Sequence, residues 1–405
     1  MQTRTIVAQL LKCCEPVMHA ARWQALHDVS IAAVNGRPLT LTSLALGTAR
    51  TTSVRHRVKC VDRLLGNPHL KDERIAAYGA LANAWLGDLP QLLIVVDWSS
   101  LTADMQWHWL RASVVVEGRS LTLFEEVHPR KHLTSKRVHQ QFVERIKALL
   151  PATQRPPIII TDAGFRSTWF RLIAAQGWYW IGRTRNRDYV RQSGEDGTWF
   201  PAKQLYAQAT KVAQDLGKYE AVRDRPFICR FALIKAKPTG RKHHYPSGKV
   251  KSNSTAKKIA QCNREPWLLS YSPDLSYLGA SAIVKLYAQR MSIEQQFRDT
   301  KNLALGQGLS QSRSGGQQRL QALLLIAHIA QLAKRLIGEA AKAQQLELQL
   351  MSNNTRKRNT LSVMTLATRV IERPDLLREI AAPWKHLQTL RRQATEAISH
   401  AMQGG

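Results

Sequence analysis

Three textures of apolar and polar positions succeed one another along the chain. Up to about residue 90 the apolar residues recur at helical spacing. Met1 to Met18 and Trp23 to Val34 carry amphipathic patterns. After the breaker Asn35-Gly36-Arg37-Pro38 come a short helix, Leu41 to Leu46, a turn at Gly47 and a longer helix from about Thr52 to Leu65. In the longer helix Val54, Val58, Val61 and Leu65 fall at core spacing, which leaves Arg55, His56, Arg57, Lys59 and Arg63 to point away. Such a helix suits either a major groove, with its bases on phosphates and base edges, or an ordinary amphipathic packing role.

From Leu92 the texture changes to strands. Leu92 to Val96 is a continuous apolar run ending at Asp97, the pattern of a buried central strand with a polar tip. Trp107 to Glu117 and Arg119 to Val127 read as two strands joined by a tight Glu117-Gly118 turn, and Ser135 to Leu150 as an amphipathic helix stopped by Pro151. Pro157 to Thr161 repeats the first design, an apolar strand ending at Asp162, then a Gly164 turn, a helix from Thr168 to Gln176 and a strand from Trp178 to Arg185. The order strand, strand, strand, helix, strand, helix matches a ribonuclease-H-like core. Either aspartate alone would serve as a turn or cap residue; strand ends in an α/β sheet gather at one edge, so the pair can instead converge.

The third texture is irregular and then helical. Residues 186–265 hold short strand-like pieces, Thr198 to Phe200 and Phe227 to Lys235, and a polar basic loop from Thr239 to Lys258. Trp267 to Tyr271 returns to strand. A single helix is expected from about Ser276 to Asn302, and everything from Gln317 onward is helical, with a basic break at Asn353 to Asn359. That last region would pack on the core, join two protomers, or both. At about 100° per residue, Tyr287, Arg290, Glu294 and Lys301 share one helix face with Arg298 at its edge, while Leu286, Ile293 and Phe297 supply a buried stripe. A carboxylate among cations suits a site that meets both a metal ion and phosphate.

Composition sharpens this. In 405 residues, Lys and Arg number 59 against 29 Asp and Glu, a formal charge of +30, while 44% hydrophobic content excludes a disordered basic tail. A folded chain this basic calls for a polyanion, and its 11 Trp fit poorly with a small packing protein. Cys13, Cys14, Cys60, Cys229 and Cys262 form no C-x-x-C pair, so neither a zinc ribbon nor a disulfide framework is indicated, and a reducing compartment is expected. The first residues show too short an apolar run for a signal peptide, and Leu320 to Ile337, interrupted by polar residues, reads as a buried core helix rather than a membrane span. Asp97, Asp162 and Glu294 are therefore the candidate ligands of a pair of Mg²⁺ ions roughly 3.5–4 Å apart, acting on a phosphodiester.

Tyr287, Arg290, Glu294 and Lys301 also spell Y-x2-R-x3-E-x6-K, and the chain thereby resembles the insertion-sequence-four family of DDE transposases. LLIVVDWS around Asp97, IIITDAGF around Asp162, EPWLL with Trp267 and VDRLLGNPHL in the N-terminal part extend the resemblance over nearly the whole length. It implies an α/β, ribonuclease-H-like catalytic core with a β-rich insertion, flanked by an N-terminal helical DNA-binding domain and a C-terminal helical region. The expected layout is a DNA-binding domain at 1–90, the core at 91–185 and 266–315, the insertion at 186–265, and a C-terminal helical region, the candidate for dimerisation, at 316–405.

The resemblance further implies a catalytic triad of Asp97, Asp162 and Glu294 holding Mg²⁺, for which Mn²⁺ can substitute. DNA contacts are expected from Tyr287, Arg290, Arg298 and Lys301, from Trp267 as a stacking residue or else a core tryptophan, from Arg183 and Arg185, and from Arg55, Arg57 and Lys59. The partners implied are double-stranded DNA, as inverted-repeat ends and as target, and a second protomer in a synaptic homodimer, with no membrane. The setting implied is the bacterial cytoplasm and nucleoid. Two alternatives share these residues: a nuclease without strand transfer, and an inactive chain retained as a DNA-binding repressor, against which the intact acids and signature argue.

Overall fold

The computed structural model describes residues 2–87, 89–185, 188–194, 197–235, 265–303, 306–351 and 361–403. In chain order the elements begin with α1 (Thr3–Leu11), α2 (Ala20–Val34), α3 (Leu41–Gly47), α4 (Val54–Leu65) and α5 (Leu70–Leu86). Strands β1 (Leu93–Ser100), β2 (Trp107–Val116) and β3 (Arg119–Pro129) follow, then α6 (Lys136–Leu149), β4 (Ile158–Thr161), α7 (Ser167–Ala174) and β5 (Tyr179–Thr184). Next come β6 (Tyr189–Gln192), β7 (Phe200–Pro201), β8 (Gln214–Ala221), β9 (Phe227–Ile234) and β10 (Trp267–Tyr271). The described helices that remain are α8 (Ala280–Ala288), α9 (Met291–Lys301), α10 (Gln317–Ala343), α11 (Glu347–Leu350), α12 (Val363–Ile371), α13 (Pro374–Glu379) and α14 (Leu387–Met402). The basic loop at 239–258 and the break at 353–359 lie outside the described residues.

The chain divides into two compact units, Met1–Arg155 with Met291–Glu396, and Pro156–Arg290 with Ala397–Gly405. The first holds an antiparallel meander in the order β3-β2-β1. Its β2–β3 turn needs Gly118, whose φ of +69° lies in the left-handed region that a side chain disfavours. One face carries Asp97, Ser99, Trp109 and Arg111, because alternate residues of a strand point the same way and the register sets Asp97 opposite Arg111 and Ser99 opposite Trp109. Helix α9 covers this face, with Phe297 edge-on to Trp109 at 4.8 Å. Helix α6 covers the other, where Phe142 meets Phe124 at 5.6 Å and His139 accepts a hydrogen bond from the Trp98 indole at 3.0 Å. Helix α10, long and apolar enough to cross a membrane by composition, is buried in this unit among α1, α2, α4, α5, α12 and β3.

The second unit holds strands in the order β4-β5-β10-β9-β8-β6-β7, parallel at β4–β5 and antiparallel elsewhere. The apolar run Ile158–Thr161 is buried throughout, as a parallel strand covered on both faces must be. Helix α7 lies so close to β5 that a Cβ on Gly182 would meet Phe170 Cζ at 2.3 Å, which explains a glycine in mid-strand.

Several expectations are corrected. The first helix stops at Leu11 and passes into a 3-10 turn, Lys12–Val17, containing Pro16. Asp97 is not a strand tip: burial drops at Asp97, but pairing continues to Ser100, so the hydrophobic run ends before the strand does. The piece at Thr198 to Phe200 forms strand only at Phe200–Pro201. Most consequentially, the single helix expected over Ser276 to Asn302 is two. Gln289 closes α8 by donating its N–H to the Leu286 and Tyr287 carbonyls, its side chain donates to the Ala397 carbonyl at 2.6 Å, and α9 starts at Met291.

Candidate active site

In the first unit, Asp97 and Ser99 face a cavity of about 590 Å³ together with Glu294, Arg298 and Lys301 of α9. The helix is fixed there by its opposite side. Gln296 accepts from the Ser113 hydroxyl at 2.9 Å and donates to Thr122 at 2.9 Å, while Arg119 reaches Asp299 at 2.9 Å and Gln295 at 2.6 Å. Positions 294, 298 and 301 are spaced four and then three apart, so they rise on one face over β1. The Asp97 carboxylate is half-buried and accepts the Trp98 N–H at 2.8 Å.

Lys301 donates to the Ser99 hydroxyl at 2.7 Å, and its ammonium lies 5.9 Å and 5.8 Å from the ring centroids of Trp109 and Phe297. Burial pushes its pKa down to about 8, with the charge of Arg111 acting the same way. Arg298 is exposed.

Beneath this floor lies a charge pair that the sequence did not reveal. Arg111 and Glu125 are both fully buried, 2.7 Å apart, and the guanidinium stacks 4.1 Å from the Trp109 ring. Tyr78 donates to the other carboxylate oxygen at 2.8 Å, and Arg74 donates to the Glu125 carbonyl at 2.8 Å. Burial raises the Tyr78 phenol well above its ordinary range, so it remains a donor to Glu125.

In the second unit, Asp162 is the first residue after β4 and is half-buried. Its Oδ1 accepts the Gly164 N–H at 2.8 Å, and a Cβ on Gly164 would press on that oxygen at 3.0 Å. Trp267, at the start of β10, meets Tyr287 of α8 edge-on at 5.2 Å. Tyr287 is buried, not displayed, and burial raises its pKa, with the charges of Arg290 and Arg183 opposing and that of Asp162 assisting. Asp162, Arg183, Tyr287 and Arg290 are thus electrostatic neighbours.

Arg183 donates weakly to the carbonyls of Glu265 and Pro266 at 3.4 and 3.5 Å. With Arg166, Arg185 and Asp188 it lines a cavity of about 400 Å³ beside the Asp162 turn. Arg166 and Ser99 were missed in the sequence. The only signals were Arg166's place four residues after Asp162 and Ser99's period-two spacing from Asp97.

The shared face read across Tyr287, Arg290, Glu294 and Lys301 is corrected by the break. Tyr287 belongs to α8, Arg290 to the joint, and Glu294 and Lys301 to α9, so the signature is carried by two helices and falls in both units. In α4, Arg55 and Lys59 are exposed as expected, but Arg57 is half-buried and turned to the Thr48 carbonyl at 3.5 Å, while Val54 is 48% exposed. Val61, Leu64 and Leu65 form the buried stripe instead, rotating the helix from the expected register.

Among the described residues, no group of three or more His, Cys, Asp or Glu side chains stands together as a metal cluster. Asp97 and Glu294 do face one open cavity, and two carboxylates on rigid elements are the hard oxygen donors that Mg²⁺ takes. The donor chemistry therefore fits a hard divalent cation.

A mixed α/β chain with such an acidic and basic cavity has the makings of a phosphoryl-transfer enzyme. Residues 88–332, well over half of the chain, match the family described as the transposase DDE domain, and the chain belongs to that family. Membership implies metal-dependent cleavage of DNA. No curated protein matches the sequence. Among solved structures, the chain is similar to the piggyBac transposase in its synaptic complex with hairpin DNA, at 10% identity over 95% of this chain and 77% of that one, with a TM-score of 0.42. A likeness at that level carries no argument.

Proposed function

We propose that this chain is a cut-and-paste DNA transposase of the insertion-sequence-four type, built on a ribonuclease-H-like core. The observation that carries the reading is the cavity where the carboxylates of Asp97 and Glu294 stand with the cations of Arg298 and Lys301, a site for metal and phosphate together. With Asp162 as the third acid, these side chains would hold two Mg²⁺ ions, which when bound activate a water or 3′ hydroxyl and stabilise the leaving oxygen of a phosphodiester. Lys301 and Arg298 would take the backbone phosphates beside the scissile bond. Lys301 is suited to this because Ser99 fixes its ammonium.

The proposed sequence of reactions begins with a nick that frees a 3′ hydroxyl at the element's end. That hydroxyl attacks the phosphodiester that joins the opposite strand to flanking DNA, forming a hairpin and releasing the flank's 3′ hydroxyl. Water then opens the hairpin and restores the element's 3′ hydroxyl, which attacks a target phosphodiester and releases a target 3′ hydroxyl. A hairpin bends the backbone sharply, and a base flipped onto an aromatic ring relieves the strain. Trp267 is the ring proposed for this, backed by Tyr287. Arg183, Arg185 and Arg290 would hold phosphates nearby, and the exposed Arg55 and Lys59 of α4, with Arg57, would contact the end DNA through residues 1–90. The working species is proposed to be a homodimer on paired ends, in a bacterial cytoplasm.

The test is incubation of the protein with Mg²⁺ and duplexes carrying the short inverted repeats that flank its coding sequence. Hairpinned ends and joined products are expected. Nicks without hairpins or joints would reduce the protein to a nuclease, and no cleavage with Mg²⁺ or Mn²⁺ would overturn the enzymatic reading.

A further inference from the structure

A second cavity of the first unit, also about 590 Å³, is lined by Lys71, Arg74, Arg137, Arg145, His128 and His132, with Glu126 as its single carboxylate. Glu126 is already engaged: it is ion-paired to Arg145, and His128 lies 3.2 Å from its other oxygen. Those partners hold it below the usual carboxylate range despite the opposing effect of burial. The cavity therefore presents an excess of cation with its one anion spoken for.

Its backbone points the same way. Ser135 and Arg137 bring in the N-terminus of α6, and Gln317 and Gln318 that of α10. Neither helix has a side-chain cap or an acidic residue in its first turn among the described residues, so both present amide N–H groups and the positive end of the helix dipole. Lys71 adds a cation from the first turn of α5. Arg74, 3% exposed, adds a fixed cation to the lining: its guanidinium is held by the Glu125 carbonyl at 2.8 Å and lies 5.6 and 5.5 Å from the Tyr78 and Phe124 rings.

We infer that this cavity is a second phosphate-binding site, separate from the acidic one, that takes backbone phosphates of double-stranded DNA. The inference rests on the DNA-processing role proposed above. Two helix N-termini and fixed cations recognise a phosphodiester without reading a base, so the site adds affinity on any sequence. It would hold duplex DNA away from the scissile bond.

The test measures binding of the full chain to two unrelated duplexes by fluorescence anisotropy across a salt series. Replacing exposed Lys71 and Arg137 together by Ala should weaken both duplexes about tenfold and flatten the slope of log affinity against log salt by about one to two. A control losing the same charge at exposed Lys12 and Arg392 should leave the slope unchanged. Ser135→Asp separates folding from binding. Aspartate is a good helix cap, so thermal stability should hold or rise, whereas its charge should repel phosphate and weaken binding. If the wild type binds duplex and the cavity variants match it in affinity and slope, the cavity is not a DNA site and the transposase reading stands. If the wild type binds no duplex at all, both inferences fall.

Discussion

Glu125→Gln is the perturbation whose size the structure fixes best. Glu125 and Arg111 are fully buried at 2.7 Å, and the carboxylate also accepts from Tyr78. Glutamine keeps the shape and can still accept from Tyr78, but it offers Arg111 no compensating charge. Removing one partner of a buried pair leaves the other charge uncompensated, at a cost of about 3–5 kcal/mol, a large share of the ~5–15 kcal/mol that holds a domain together. With a urea m-value of about 3 kcal/mol/M, the unfolding midpoint should fall by about 1–1.7 M. Tryptophan fluorescence is a suitable probe, since Trp109 lies 4.1 Å under the guanidinium.

The control is the double variant Arg111→Met with Glu125→Leu. Replacing both charges by apolar groups of similar volume should recover most of the loss, less about 1–3 kcal/mol for the stranded Tyr78 hydroxyl. A coupling of about 2 kcal/mol or more between the positions is therefore expected. A midpoint shift below about 0.3 M for Glu125→Gln, or a double variant as costly as the sum of the singles, would refute the argument that this pair is a closed, interdependent unit.

Other predictions bear on activity. Asp97→Ala, Asp162→Ala and Glu294→Ala should each abolish cleavage while leaving DNA binding in a gel-shift assay within about threefold of wild type, roughly 0.7 kcal/mol; loss of binding with each would mark the acids as structural. Trp267→Ala should slow hairpin formation more than the first nick in a gel time course, and equal slowing of both steps would exclude the stacking role. Lys301 titrates near pH 8 in the fold against 10.5 when free, so its ammonium is lost as pH rises through about 8. Cleavage at constant ionic strength should then fall above pH 8 and be sustained to higher pH in Lys301→Arg. By the same linkage, Lys301 disfavours the fold below pH 8, and that cost is relieved between about pH 8 and 10.5.

The parts of the fold that were legible were those with one buried face or a continuous apolar run. The β2–β3 hairpin, β4 and β10 follow directly from such runs and a glycine turn. Strand β8, QDLGKYEA, has too few apolar residues to announce itself and is a strand because β9 and β6 pair with it. The break at Gln289 and Arg290 lacks glycine or proline, and a helix that ends for tertiary reasons leaves no local signal. Within the site, Asp97, Glu294 and Lys301 were legible as acid and base at telling positions. Arg111 was not, because a lone arginine in a strand looks solvent-facing until Glu125 and Tyr78 are seen beside it.

The division of the chain at Met291 has a consequence for how the protein is made. The Pro156–Arg290 segment is continuous, so almost all of its unit is available as soon as it leaves the ribosome. The other unit must wait. Its strands β1 to β3 are synthesised early, but α9 and α10, which cover them, follow only after that intervening segment, a delay on the order of ten seconds at ~5–20 residues per second. Until α9 is made, the face that carries Trp109 and Arg111 lacks the helix that covers it, and Asp97 lacks Glu294 beside it. If Asp97 and Glu294 act together as proposed, DNA cutting has to wait until α9 has been synthesised.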